Sequence, residues 1–396
     1  VITVTVKSND VVYGSSQTEF DNSFSHTFSG LVDSSDGETK FGGTLEYIVK
    51  KGTTTIAKAD LPKQDVGTYT ITASGLTSDY YTINYAEGTF KITARAITIT
   101  AKSDTKVYDG TALTNNGYTV DDLVNGDTIT AGISVVGSIT NVGSVANVIS
   151  KTNAFKIANG GVDKTNNYTV TLVNGTLTIT QRNITVKVDG SMKYGESEPT
   201  YTFDYSLTEW NGASEDVKAR IKAEIEKALT IKILNGTTDI TSTISSALVG
   251  KYTTSLSSTD SNYNFTFLAG ELTITKRSLT ITVGTKEWTY DGKEYEAGYT
   301  LGGDNLANGD TATISTTKRK DTTGDGYVES TVLSYTIKKG ATDVKNCYNV
   351  TILNGKLTVK KATLTVTVTL SKTTMTYGDA VPTMSVSYAG FVAGED

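Results

Sequence analysis

The chain has 396 residues, more than one hydrophobic core ordinarily serves, so two to five domains are expected. A net charge of −6, a pI near 5.1 and no run of Lys and Arg beyond three residues exclude a binder of phosphate backbones. One Cys and one His exclude an internal disulfide and a Cys/His zinc site by count, and no apolar run approaches the roughly 18–20 residues of a membrane span.

The chain opens on an alternating strand, "VITVTV", with no leader pattern ahead of it. It closes at "GFVAGED", shortly after a repeat has begun, so both ends are expected to be boundaries within a longer protein. Between them the organising signal is internal repetition. A Tyr-Gly or Tyr-Asp-Gly marker recurs at Tyr13, Tyr108, Tyr194, Tyr290 and Tyr377, with spacings of 95, 86, 96 and 87 residues. Alternate markers share a form, "YG" at 13, 194 and 377 and "YDG" at 108 and 290, so the unit is a pair of unlike repeats.

Each repeat closes on a second marker: "YTINYAEGTFKIT" (81–93), "YTVTLVNGTLTIT" (168–180), "YNFTFLAGELTIT" (263–275) and "YNVTILNGKLTVK" (348–360). The period-2 pattern about Gly88, Gly175, Gly270 and Gly355 predicts two half-buried strands joined as a hairpin, with the glycine at φ > 0 in the turn. Short basic junctions follow at 94–96, 181–183, 276–278 and 360–362, and a new alternating strand begins at once. No flexible linker separates the repeats, which predicts a stiff rod.

The predicted domains are 1–94 (YG type), 95–181 (YDG type), 182–276 (YG type with a helix), 277–361 (YDG type) and 362–396 (the start of a further YG type). Inside them, "LVNGDT" (123–128) and "LANGDT" (306–311) belong to the YDG type, and "VGTYT" (66–70) and "VGKYT" (249–253) to the YG type. One helix is expected, over 214–229. Ser214 caps it, Glu215 and Asp216 suit its positive end, and Val217, Ile221, Ile225 and Leu229 form a stripe. The corresponding stretch of the first repeat, 34–43, has no helical pattern. The fold class is mostly β: tandem β-grasp-like modules, a hairpin at each end with a variable crossover. An immunoglobulin-like β-sandwich is the alternative, but leaves the helix as an insertion.

The alternation of "YG" and "YDG" openings with "NGDT" and "VNGTLTIT" closings resembles the tandem MBG and YDG domains of bacterial surface adhesins, related to mucus-binding β-grasp repeats. The resemblance implies a non-catalytic, extracellular, cell-wall-attached stalk from a Gram-positive bacterium, holding a distal binding region away from the wall. Two alternatives stand beside it. The repeats themselves bind host mucin or dietary glycans, or they are an accessory region of a large secreted polysaccharide-degrading enzyme. A monomer is expected, without nucleic-acid partners.

No catalytic, metal or cofactor residue is assigned. Tyr-Asp-Gly reads as ring packing followed by a turn, since the YG repeats lack the Asp. Cys347 stands where other copies have Tyr80, Asn167 and Asn262, which argues against a nucleophile. His26 lacks a Gly-x-Ser-x-Gly elbow. The loop 321–330 carries Asp321, Thr323, Asp325 and Glu329 but has Val332 where a calcium loop needs its bidentate acid. Trp210 and Trp288 have no copies in the other repeats and are the candidate ligand-binding residues, as stacking surfaces for sugar rings.

Overall fold

The computed structural model describes residues 1–395. Strands hold 54% of the residues and helices 10%, so the chain is mostly β. It divides into two compact units. The first is Val1–Arg182 with Ser261–Asn264; the second is Asn183–Asp260 with the chain from Phe265 on.

In the first unit the strand Ile2–Ser8 lies between Phe24–Ser29, antiparallel, and Ile83–Ala86, parallel. Its continuation Val11–Val12 runs parallel to Gly88–Thr93, which pairs antiparallel with Gly67–Thr77, itself paired with Gly42–Lys51. The strand order is therefore second, first, last, fourth, third, with one parallel pair at the centre. The next repeat copies it: Arg95–Ala101 between Tyr118–Val120 and Tyr168–Val173, then Asp104–Val107 beside Gly175–Thr180. Inward-facing Ile2, Val4, Tyr69, Ile71, Phe90, Ile97 and Ile99 fill one core shared by these sheets.

The second unit shows the plan most plainly. Thr200–Asp204, Arg182–Lys193, Gly270–Thr275, Gly250–Ser257 and Thr230–Asn235 form one mixed sheet. The helix Glu215–Ala228 is the crossover between its second and third strands. Ser214 accepts from the N–H of Val217 as its cap, and Ile221 and Ile225 are buried as the stripe predicts. This hairpin, helical crossover and returning pair is the β-grasp-like layout. In the first two repeats the same order is divided over two sheets, because the first and last strands each pass from one sheet to the other, and in the fourth the strands are divided over four smaller sheets.

That passage corrects the expected closing hairpin. Ile83–Ala86 and Gly88–Thr93 do not pair with each other; they lie end to end, each beside the first strand. Gly88, Gly175, Gly270 and Gly355 are not among the residues with positive φ. Their requirement is space: an added Cβ would lie 2.9 Å from Val6 O, 2.5 Å from Lys102 O, 2.0 Å from Val188 O and 1.9 Å from Gly284 O respectively. The glycine lets two parallel backbones touch where the strand changes sheets.

A second helix, Gln17–Ser23, lies in the first repeat, where none was expected. It has a capping box: Glu19 N–H donates to Ser16 Oγ, and Ser16 N–H donates to Glu19 Oε2 at 2.7 Å.

Candidate functional site at the inter-repeat joint

The residues that recur at fixed spacing meet at the joints between successive repeats. In the first unit the hydroxyl of Tyr13, from the first repeat, donates to Asp127 Oδ2 at 2.9 Å, in the second. Tyr168 donates to the same oxygen at 2.8 Å, and the two rings meet edge to face at 5.5 Å. In the second unit Tyr194 donates to Asp310 Oδ1 at 3.4 Å and Tyr348 to its Oδ2 at 2.6 Å, with ring centroids 5.7 Å apart. All six side chains are buried. Burial raises the Tyr13, Tyr168, Tyr194 and Tyr348 hydroxyls above the usual phenol range, and the neighbouring carboxylate adds to that, so they stay protonated donors.

The marker glycine fits the same joint. Gly14 has φ +74°, and a Cβ there would lie 2.2 Å from Val124 Cγ2 of the next repeat. Gly195, at φ +83°, would meet Ala307 Cβ at 2.3 Å. Gly14→Ala is therefore expected to destabilise the first unit by about 2–4 kcal/mol, left-handed strain plus overpacking, read as a lower melting temperature for that unit alone.

The basic junctions complete it. Arg95 Nε donates to the carbonyl of Tyr13 at 2.8 Å, Arg182 Nε to that of Tyr108 at 2.7 Å, and Arg277 Nη1 to that of Tyr194 at 3.3 Å. Each arginine opens one repeat and grips the marker of the repeat before it. Only Ala94, Gln181 and Lys276 separate the closing strands from the next opening ones. Within the first unit Tyr108 also packs edge to face on Tyr263 at 5.3 Å, and the N–H of Val142 donates to Asn262 Oδ1.

The Asp of Tyr-Asp-Gly is local, as its turn reading implies. Asp109 accepts from Lys106 Nζ, Thr111 N–H and Thr111 Oγ1 at 2.6–2.8 Å. Burial pulls its carboxyl upward, but Lys106 and Thr111 outweigh that and lower it to about 2. In the fourth repeat Trp288 replaces Lys106, and Asp291 accepts instead from the Tyr295 hydroxyl at 2.7 Å. The Tyr295 ring packs edge to face on Trp288 at 5.3 Å, with Lys286 Nζ 4.5 Å from its centroid. Trp288 is thus half of an exchange that keeps the turn held. It is half-buried, and its indole N–H is buried without a hydrogen-bond acceptor.

Trp210, also half-buried, lies beside Tyr205 at 6.3 Å, and Lys222 of the long helix sits over both rings at 5.5 and 5.7 Å. Neither tryptophan borders the cavity in the first repeat. The cavity of about 590 Å³ in the first repeat lies elsewhere, bordered by Phe24, Leu45, Tyr47, Ile56 and the Asp21–Lys58 ion pair. His26 Nδ1 is 3.0 Å from the Tyr47 hydroxyl beside it. Cys347 is buried and packs in the joint core. In the 321–330 loop Glu329 accepts from Asn354 Nδ2, and Thr323 Oγ1 donates to the Gly326 carbonyl. Among the described residues no group of three or more His, Cys, Asp and Glu could hold a metal ion, and no helix is long and apolar enough to cross a membrane, which says nothing of a β-barrel.

The comparisons bear on the class of protein these joints belong to. The sequence model of the MBG domain (YGX type) matches twice in tandem, at residues 2–91 and 97–178. The second match covers the first Tyr-Asp-Gly repeat, so both types of opening fall under one description. No curated protein matches the chain. Among solved structures it is similar to Drosophila N-cadherin EC1-4 (8% identity, TM-score 0.16, 82% of this chain and 93% of that one). It is also similar to Sidekick-1 immunoglobulin domains 1-5 (10% identity, TM-score 0.17, 87% and 78%). Likeness at that level carries no argument about fold or function.

Proposed function

We propose that this chain is a non-catalytic spacer within a bacterial cell-surface adhesin: repeats with boundaries near 94, 181, 276 and 361, joined in series to hold a distal binding region away from the cell wall. One observation carries the reading. The residues that recur at fixed spacing, Tyr13, Tyr194, Asp127, Asp310, Arg95 and Arg277, are engaged in holding one repeat against the next. The tandem MBG matches support a surface-protein repeat region. Small-angle scattering of the whole chain tests it. The expected largest dimension is on the order of 150 Å for five repeats in line, whereas a radius of gyration of about 21 Å, that of a compact chain of this length, would overturn it.

A second reading, glycan binding by the repeats, draws on the half-buried Trp210 and Trp288 and on the cleft bordered by Phe24 and Tyr47. Ring faces beside Asp21, Glu46 and Lys58 suit a sugar's apolar face and hydroxyls. It expects glycan-array signal that is lost on Trp210→Ala, Trp288→Ala or Tyr47→Ala. An array without signal for the unaltered chain leaves the spacer alone.

A further inference from the structure

We infer that the joint between the first and second repeats and the joint between the third and fourth carry mutually exclusive side-chain chemistries, so that the first and third repeats each recognise their own follower and reject the other's. The polar joint is the first. Asp65 Oδ1 accepts from Lys164 Nζ at 2.6 Å and from Asn167 Nδ2 at 2.8 Å, while Asn167 Oδ1 accepts from the N–H of Val66 at 2.9 Å. Asp65 is in the first repeat; Lys164 and Asn167 are in the second.

The second joint has the same frame. Tyr252 donates to the carbonyl of Leu248 at 2.8 Å, as Tyr69 does to that of Asp65 at 2.6 Å, which places Leu248 at the Asp65 position. Counting back from Tyr348 and Tyr168 places Val344 and Cys347 at the Lys164 and Asn167 positions. Val344 and Cys347 are 2% and 4% exposed, in one core with Ile244, Ala247 and Val249. All three positions have changed character together, from charged or amide to apolar, while the Tyr/Asp/Tyr triad is common to both joints.

The common triad therefore supplies attachment, and the varied trio supplies choice. A mixed joint is penalised either way. Lys164, whose side chain is 16% exposed, would find no carboxylate at the Leu248 position, where the leucine is 46% exposed and stands outside the core that holds Val344 and Cys347. Asp65 would face Val344 and Cys347, which offer no charged or amide donor. Discrimination by mismatch is the usual device where many similar surfaces compete, as they do in a tandem array prone to misassembly. The inference does not depend on the spacer reading.

Hydrogen–deuterium exchange on the full chain under reducing conditions tests it, with the 122–128 segment as reporter of the first joint and 306–311 of the second joint as internal reference. Asp65→Leu alone, and Lys164→Val with Asn167→Cys, are each expected to speed exchange at 122–128 by about tenfold, the equivalent of roughly one decade in joint opening. The triple exchange is expected to return it to within about threefold of the unaltered chain. Half-exchanged chains that match the unaltered one, or a triple variant as fast as the two halves combined, would overturn the proposal. If Lys164→Val with Asn167→Cys unfolds the first unit, Lys164→Met alone decides: faster exchange at 122–128 supports the proposal, and an unchanged rate overturns it.

Discussion

Gly270→Ala is expected to destabilise the second unit by at least about 3 kcal/mol, whereas Gly236→Ala, in the same unit, is expected to remove about 1–2 kcal/mol. At Gly236 φ is +62° and nothing lies within 4 Å of an added Cβ, so only the left-handed backbone is penalised. At Gly270 the backbone itself is ordinary, but the Cβ would stand 2.0 Å from Val188 O and 2.6 Å from Thr254 Oγ1. Neither neighbour is free to retreat. Thr254 donates to the Val188 carbonyl at 2.5 Å, and Val188 and Thr254 are 0% and 1% exposed. Relief requires prising the first and last strands apart along a ladder that runs from Gly190–Leu272 to Lys193–Thr275. Thermal unfolding of both variants, followed by near-ultraviolet dichroism, separates the two causes. Equal losses would mean that the two strands yield to the added Cβ, so that the close approach does not require glycine at 270.

The second large effect is expected at Asp127. Truncation to Ala removes the carboxylate to which the buried Tyr13 and Tyr168 hydroxyls both donate, leaving Tyr168 a long bond of 3.5 Å to the Val124 carbonyl, and a donor left without a partner costs about 1–3 kcal/mol. Asp127→Ala should therefore destabilise the first unit by roughly 2–5 kcal/mol and leave the second unit's transition in place. Asp127→Asn should fall between it and the unaltered chain, because it keeps an acceptor oxygen but not the charge that strengthens both bonds. Differential scanning calorimetry that resolves two transitions is the measurement. A first transition unmoved by Asp127→Ala would show that ring packing alone holds the joint.

How far the sequence carried these conclusions depended on the range of the interaction. The strands, the Ser214-capped helix and the repeat spacing are local patterns, and the structure contains them. The Ser16–Glu19 capping box was equally local and gave a legible signal for the short helix. Gly88, Gly175, Gly270 and Gly355 were misread because turn and strand crossing demand the same residue, and only the approach of a carbonyl roughly seventy to eighty residues away distinguishes them. The Tyr13–Asp127 and Tyr194–Asp310 bonds span 114 and 116 residues, beyond any periodicity within a repeat. A hint was present nevertheless: "NGDT" occurs only in the repeats that follow a YG repeat. Trp288 was singled out because it does not repeat, yet where it replaces the lysine, Tyr295 beside it donates to Asp291, so the task of holding the Asp of the turn passes to another position.

The pairing of first and last strands has a consequence under tension. In each complete repeat the chain enters along one strand and leaves along its parallel neighbour, Ile2–Ser8 beside Ile83–Ala86 in the first and Arg277–Val283 beside Tyr348–Leu353 in the fourth. A pull on the two ends of such a repeat acts along the ladder, loading its hydrogen bonds side by side in shear instead of peeling them one after another. Because a single residue separates several closing strands from the next opening ones, little slack would be taken up before that load is felt. The same backbone contact that forbids a Cβ at Gly270 lies within the ladder that such a pull would shear.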